Sequence, residues 1–297
     1  MTILRKQGQA ASHALLGCYS NFTFLKGASH PDEMVARAAE LGWAAVGIAD
    51  VNSLAGIVRA HVAARDHQIR LVVGARLRPV DGPDIIVHPC DRAGYEGLSM
   101  LLSEANMRGS KAAPILYLAD LARLPASTAL LVMPPRHPDA HYQAHLQTIR
   151  QIAEGQLFAG ICLYRDGADE ARCQMLMAAA AALGLRVAAA ADALYHIPDR
   201  RPLADVLACI REKQQLDDAG YLISRNAERH LIDCAEAERR WRHAPDALDG
   251  ARTLADLCHF SMDDLSYEYP DELKPGGRTA MQELAFQTWR GAEKRYP

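Results

Sequence analysis

The sequence predicts an α/β fold in which a barrel of six to eight mainly parallel strands is followed by a helical appendage. Short apolar runs recur between residues 13 and 191 and are too short for ordinary helices, so they indicate buried strands. Segments with helical spacing separate most of these runs, and strands that alternate with helices predict a parallel sheet. Beyond residue 212 the strand-like runs stop and polar helical stretches replace them.

The individual elements follow from where these patterns begin and end. Seven apolar runs are predicted as strands, at residues 13–16, 44–49, 71–73, 85–87, 129–133, 158–163 and 187–191. Helices are predicted at residues 31–41, 53–66, 92–107, 138–153, 168–183 and 199–212. This number of strands suits a closed barrel better than an open sheet, a choice that periodicity alone leaves open.

The first helix and the strand after it have the clearest boundaries. Ser29 and Asp32 form a capping pattern, and Pro31 lies in the first turn, where a helix tolerates proline. Gly42 is placed to end the helix, and Asp50 directly follows the next apolar run. We expect Asp50 at the carboxyl end of a strand, the edge where functional side chains collect in α/β folds.

The remainder of the chain is predicted to be helical. Helical stretches are expected at residues 226–243, 246–258 and 280–297, with a looser run at 266–279. We therefore divide the chain into a barrel at residues 1–212, of which 1–12 form a flexible leader, and a helical connector at residues 213–297.

Composition limits the possible functions. The 33 basic and 36 acidic residues give a net charge of −3, which argues against a self-sufficient nucleic-acid binder, because phosphate contacts need a surplus of lysine and arginine. The seven cysteines include no C-x-x-C pair, which indicates reduced thiols. The sequence shows neither a signal peptide nor an apolar run long enough to span a membrane, so we expect a cytoplasmic protein.

Two motifs carry a family resemblance. Residues 16–27 read LGCYSNFTFLKG, and residues 49–56 read ADVNSLAG. They resemble the motifs L-H-x-H-S-x-[FY]-S-x-L-D-G and T-D-H-x-x-L-x-G of the PHP (polymerase and histidinol phosphatase) domain that begins bacterial DnaE-type DNA polymerase α subunits. The sequence NFTFLKGASHPDE is most similar to the error-prone, damage-tolerant branch of this polymerase family. The resemblance implies a distorted (β/α)7 barrel at the N-terminus of a longer polymerase.

The resemblance also indicates where metal ligands would lie in the first two motifs. In that family, His, Asp and Glu side chains bind two or three divalent cations, which activate a water for phosphoester hydrolysis. The two histidines of H-x-H fall on Gly17 and Tyr19, and the aspartate of L-D-G falls on Lys26. The histidine of T-D-H falls on Val51, next to the retained Asp50.

The later ligand positions are altered in the same way. The glutamate expected after the third strand falls on Arg76, and the histidine that starts the next strand falls on Asp84, a possible substitute. The late D-x-H pair falls on Asp192 and Leu194, so Asp192 alone is retained outright. The resemblance therefore implies no catalytic residue, metal or cofactor in this segment, whereas the parent polymerase would use Mg.

The new charges suggest what replaces the metals. Lys26 and Arg76 bring fixed positive charge to positions where cations would be held. We expect Arg76 to contact at least one of Asp50, Asp84 and Asp192, with Lys26 close by, because a guanidinium can bridge carboxylates. In the alternative interpretation these charges are solvated at the surface and do not meet.

The leading functional hypothesis is a non-catalytic domain of an error-prone DNA polymerase, with a structural and interaction role. Its expected partners are the rest of the same polypeptide, other replication or mutagenesis proteins, and DNA only through the parent. One alternative is a working metal-dependent phosphoesterase that proofreads or hydrolyses pyrophosphate. Another is an anion-binding module that uses Lys26 and Arg76 on phosphate. The evenly spaced His137, His141 and His145 are interpreted as one solvated helix face.

Overall fold

The computed structural model of the protein describes residues 13–110, 113–265 and 278–296. The predicted leader at 1–12 and most of the looser run at 266–279 lie outside these residues. All seven predicted strands are confirmed. They are β1 (Ala14–Cys18), β2 (Ala45–Val51), β3 (Arg70–Leu77), β4 (Ile85–Pro89), β5 (Thr128–Val132), β6 (Gln156–Ile161) and β7 (Arg186–Ala189).

The strands form one sheet in which each is paired with its neighbours in the sequence, in the order β1 to β7. β4 is antiparallel to β3 and β5, and the other four pairs are parallel, which confirms the prediction of mainly parallel strands. Since β4 runs in the opposite direction, its amino end lies at the same edge as the carboxyl ends of the other strands. This edge is called the rim below.

The sheet curls into a half-barrel and does not close through a ladder between β7 and β1 in the part of the chain that the structure describes. Two backbone hydrogen bonds join its ends at the rim instead. The Ala191 amide donates to the Leu16 carbonyl at 2.8 Å, and the Tyr19 amide donates to the Ala193 carbonyl at 3.0 Å. Next to these contacts, β1 has a register shift in its pairing with β2, and Asp192 has a left-handed backbone (φ 47°).

Helices follow most of the strands. They are α1 (Pro31–Glu40), α2 (Ile57–Asp66), α3 (Arg92–Arg108), α4 (Ala140–Ile152), α5 (Asp169–Ala182), α6 (Arg201–Glu212), α7 (Cys234–Arg240), α8 (Pro245–Leu257) and α9 (Ala280–Arg295). The six helices predicted before residue 213 are confirmed, as are those near 246–258 and 280–297. No helix among the described residues is long and apolar enough to cross a membrane.

The predicted helix at residues 226–243 is wrong over its first half. Helix α7 begins only after Asp233, whose side chain accepts a hydrogen bond from the Glu236 amide and caps the helix. Before it, the chain is irregular, and the Arg229 carbonyl accepts a hydrogen bond from the Leu194 amide at 2.9 Å. This pairing with the segment after β7 uses a backbone group that a helix would need for itself.

Helix α8 packs against β7 and β1, the two end strands of the sheet. Gly250 makes the approach possible, because a Cβ atom there would lie 1.8 Å from the Val187 carbonyl oxygen. The chain forms two compact units that are separated between Asp264 and Leu265. Residues 213–264 therefore belong to the same unit as the sheet. The predicted boundary at residue 212, between a barrel and a helical connector to the polymerase, stays a prediction.

Candidate functional site

The rim brings together most of the positions singled out in the sequence. Gly17 and Tyr19 lie at the end of β1, and Val51 ends β2. Arg76 lies near the end of β3, and Asp84 precedes β4, where its carbonyl accepts a hydrogen bond from the Met133 amide just past the end of β5. Lys26, Asp192 and Leu194 reach the same edge from the loops that follow β1 and β7.

Arg76 lies at the centre of an ion-pair network, as predicted. Its Nη1 atom is 3.0 Å from Asp192 Oδ1 and 3.8 Å from Asp84 Oδ2. Its Nη2 atom donates to the Gly17 carbonyl at 3.3 Å, and the residue is only 2% exposed. The predicted contact between Arg76 and at least one of the three aspartates is therefore confirmed.

Two further arginines, which the sequence did not single out, complete this network. Arg229 Nη2 donates to Asp192 Oδ2 at 2.5 Å, and its Nε and Nη2 atoms also donate to the Asp192 carbonyl. Arg78 holds Asp84 with two parallel hydrogen bonds of 3.0 and 3.1 Å. The network thus contains three guanidinium groups and two carboxylates.

The charges decide the protonation state of the central carboxylate. Burial alone would raise the pKa of Asp192, but Arg229, Arg76 and Lys26 together outweigh it and lower the pKa below its usual range. Asp192 is therefore an anion at neutral pH. The stability that it contributes is present above its usual pKa and is lost in acid, as the pH falls through the lowered value.

Lys26 joins the network through the ring of Tyr19. Its Nζ atom donates to the Tyr19 hydroxyl at 2.7 Å and lies 4.2 Å from the ring centroid. The Arg76 guanidinium lies 4.1 Å from the same centroid, so two cations share one aromatic ring. The expectation that Lys26 lies close to Arg76 is confirmed.

The other replaced positions form an apolar half of the site. Tyr19 and Leu194 are buried together with Ala28, Tyr195 and Ala204, and Val51 packs against this cluster. Gly17 has a left-handed backbone (φ 79°), and a Cβ atom there would lie 3.2 Å from Ile86 Cδ1. The site thus combines an ion-paired half with an apolar half.

Asp50, one of the three aspartates considered as partners for Arg76, does not join this site. Val51 pairs with Arg76 across the parallel strands and shares its face, so Asp50 lies on the opposite face of β2. Its carboxylate accepts hydrogen bonds from the Ser20 amide (2.8 Å), the Ser20 hydroxyl (2.6 Å) and the Thr23 hydroxyl (2.6 Å). Asp50 therefore fixes the loop after β1 to the end of β2.

Comparison with known proteins identifies the family to which the chain belongs. A family model described as "PHP domain" matches residues 16–172, just over half of the 297 residues. The chain belongs to the PHP domain family. A putative metal-dependent phosphoesterase from Bifidobacterium adolescentis has a TM-score of 0.47 with this PHP chain at 14% identity, over 62% of this chain and 88% of the other.

Curated relatives are similar over nearly the whole PHP chain. The error-prone DNA polymerase of Rhodopseudomonas palustris (strain BisB5) is 41% identical over 292 residues, which cover 96% of this chain and 26% of the relative. The error-prone DNA polymerase of Caulobacter vibrioides is 36% identical over 286 residues, with the same coverage. The chain therefore spans about a quarter of the length of these relatives.

Other potential metal ligands in the PHP domain are dispersed. Within the described ranges, no group of three or more His, Cys, Asp or Glu side chains is arranged to hold a metal ion. His88 on β4 is fully buried, and its Nδ1 atom is 2.9 Å from the Val73 carbonyl oxygen. Burial lowers the pKa of His88 to about 4, so it is a neutral core residue at physiological pH.

Replacing Lys26 of the PHP domain by methionine should change how stability depends on pH. Burial, reinforced by neighbouring arginines and opposed by Asp192, lowers the pKa of Lys26 from 10.5 to about 7. Between these values the unfolded chain binds the extra proton. The free energy of unfolding should therefore rise with pH across this window, by up to about 1.4 kcal/mol per unit.

Urea unfolding at several pH values between about 7 and 10 measures this slope. The Lys26→Met variant should lose the rise, whereas a matched change of the exposed Lys294 to methionine should retain it. Identical slopes for the wild type and Lys26→Met would show that Lys26 is not desolvated.

Proposed function

We propose that this PHP domain is a metal-free, non-catalytic part of an error-prone DNA-directed DNA polymerase, in which its role is structural. The observation that carries the proposal is the position of Arg76, which lies between Asp84 and Asp192 at the rim. This is where the resemblance implies that the family's cations are bound. An internal guanidinium at that position supplies the positive charge that the carboxylates would otherwise take from metal ions.

The side chains at the rim do not fit a cation cluster. Gly17, Val51 and Leu194 offer no side-chain donor atom, and the Tyr19 hydroxyl accepts the hydrogen bond of Lys26. Burial raises the pKa of Tyr19 far above its usual value, so the phenol stays neutral. Asp84 and Asp192 are already paired with guanidinium groups, and a metal ion beside them would be repelled by these fixed charges.

The activity of the longer protein is inferred from the relatives. Because similarity to error-prone DNA polymerases extends over nearly the whole chain, we infer that the chain serves in damage-tolerant DNA synthesis in the cytoplasm. The nucleotidyl-transfer site and its Mg would lie in the remaining three quarters of such a polymerase. The direct partner of the PHP domain would be that remainder, and it would encounter DNA as part of the whole enzyme.

An apolar stripe on α6 is a suitable contact surface for the remainder of the polymerase. Leu203, Val206 and Ile210 lie on one face of the helix and are 41–55% exposed. We expect Ile210→Asp to leave this chain folded and to weaken its association with the separately expressed remainder. Unchanged association would exclude this face.

A phosphoesterase assay tests the proposal. We expect the purified chain, supplied with Mn, Zn or Mg, to hydrolyse bis(p-nitrophenyl) phosphate and pyrophosphate no faster than its Asp192→Asn variant. A contaminating phosphatase would contribute equally to both preparations. Only the difference in rate therefore reports on this chain, because the variant loses the aspartate that the family motif retains. A wild-type rate clearly above that of the variant would contradict the proposal and favour an active proofreading or pyrophosphate-hydrolysing phosphoesterase.

A further inference from the structure

A groove of about 1200 Å³ lies beside the ion-paired site. Its walls come from the loop after β1, the loop after β2, the segment between β3 and β4, the end of α3 with the segment that follows it, and the end of α6. Lys26 and Val51 belong to both the groove and the site, so the two are continuous. The groove is much larger than a single phosphate or metal ion requires.

The polar lining of the groove is positively charged. Lys26, Arg78 and Arg211 line it, and none of the described residues in its wall is acidic. Arg78 and Arg211 each pair with a carboxylate outside the wall, Asp84 and Glu212, and remain 49% and 41% exposed. Their guanidinium groups therefore retain donors for an anion.

Two phenylalanines stand beside these cations. Phe24 is 81% exposed and Phe22 is 37% exposed, and both line the groove. An exposed aromatic ring costs free energy in water unless a partner covers it. A positively charged groove with exposed aromatic rings is the arrangement with which proteins bind single-stranded nucleic acids, whose unpaired bases stack on the rings while the phosphates contact the cations.

We propose that this groove binds single-stranded nucleic acid, with phosphates on Lys26, Arg78 and Arg211 and a base stacked on Phe24. The overall charge of −3 argues against general affinity for nucleic acids, but the surplus of positive charge here is local. The inference goes beyond the proposed structural role and does not depend on the loss of the metal site. A duplex presents no free base to Phe24, so the groove should favour single strands.

Proton uptake gives the proposal an independent signature. Lys26 shares its surroundings with Arg76, Arg78, Arg229 and Asp192, and burial lowers its pKa to about 7. A phosphate beside it would favour the charged form and raise that pKa. Calorimetry slightly above neutral pH, in two buffers with different ionisation enthalpies, should therefore detect proton uptake on binding, and Lys26→Met should abolish it.

Fluorescence anisotropy of the full chain with labelled oligo(dT) is the main test. We expect log K to fall with log salt with a slope of about −2 for three contacts on a single strand. Arg211→Gln should weaken binding and make the slope shallower by about 0.7. Phe24→Leu should weaken binding roughly tenfold, whereas Phe24→Trp, which preserves stacking, should not.

The exposed pair of Arg92 and Glu96 on α3 supplies a matched control, because Arg92→Gln changes the same charge away from the groove. Three results would overturn the proposal: no binding at low salt, equal binding by the wild type, Phe24→Leu and Arg211→Gln, or binding of pyrophosphate without oligo(dT). The last would indicate a site for small anions. None of these results bears on the phosphoesterase assay, so the two proposals fail separately.

Discussion

Replacing Arg76 by methionine should lower the free energy of unfolding by about 3–5 kcal/mol, because it leaves a buried carboxylate without its central partner. Asp192 is 6% exposed, and burial disfavours its charged form once the cation is gone. Since Arg229 still pairs with Asp192, we expect a loss at the lower end of this range. Denaturant melts of the wild type and the variant measure the difference.

The double change Arg76→Met with Asp192→Leu should cost much less than the sum of the two single changes. The second substitution removes the charge that the first one left unpaired, so the two residues are energetically coupled. The same substitution at the exposed Arg92, whose partner Glu96 is 58% exposed, should cost at most about 1 kcal/mol. Additive single changes would mean that the ion pair between Arg76 and Asp192 carries little energy.

Replacing Asp50 by alanine should be destabilising by several kcal/mol. Asp50 is 1% exposed and accepts hydrogen bonds from the Ser20 amide and from the hydroxyls of Ser20 and Thr23. Removing the carboxylate leaves these buried donors without an acceptor, at about 1–3 kcal/mol for each group that stays unsatisfied. The loop after β1, which carries Lys26, would lose its attachment to β2.

Asp50→Asn is the matched control for this position. The amide keeps an acceptor for the Ser20 amide and the Thr23 hydroxyl, and its own N–H can donate to the Ser20 hydroxyl. Burial raises the pKa of Asp50, so the charge itself is unfavourable there, and we expect the asparagine variant to lose far less stability than the alanine variant. Equal losses in thermal melts would mean that the negative charge, rather than the hydrogen bonds, is essential.

The strands and the network at the rim were predictable because they depend on local signals. Buried strands are short apolar runs, and alternation with helices determines that their ends meet at one edge. Arg76 follows a strand-like run, and Asp84 precedes one. Their positions at that edge therefore do not depend on the conformation of the loops. Once the family motifs placed Asp192 there too, the buried charges had to meet a partner.

Other features depend on tertiary contacts that the sequence pattern does not reveal. Arg229 lies in a polar stretch with helical spacing, and its contact with Asp192 arises because the chain before α7 runs along the segment after β7. The face of the sheet on which Asp50 lies depends on the register of β2. A change of register by one residue would move every side chain of the strand to the opposite face. Hydrophobic periodicity also does not reveal that β7 and β1 meet through single backbone hydrogen bonds and not through a ladder in the described part of the chain.

Elemental analysis of the purified chain is the most direct test of the claim that an ion-pair network replaces the metal centre. The chain should be prepared without chelators and measured by inductively coupled plasma mass spectrometry for Zn, Mn and Fe. We expect far less than one metal ion per chain, and no change in melting temperature when a chelator is added. Two or more tightly bound ions per chain, released by the chelator with a loss of stability, would contradict the claim.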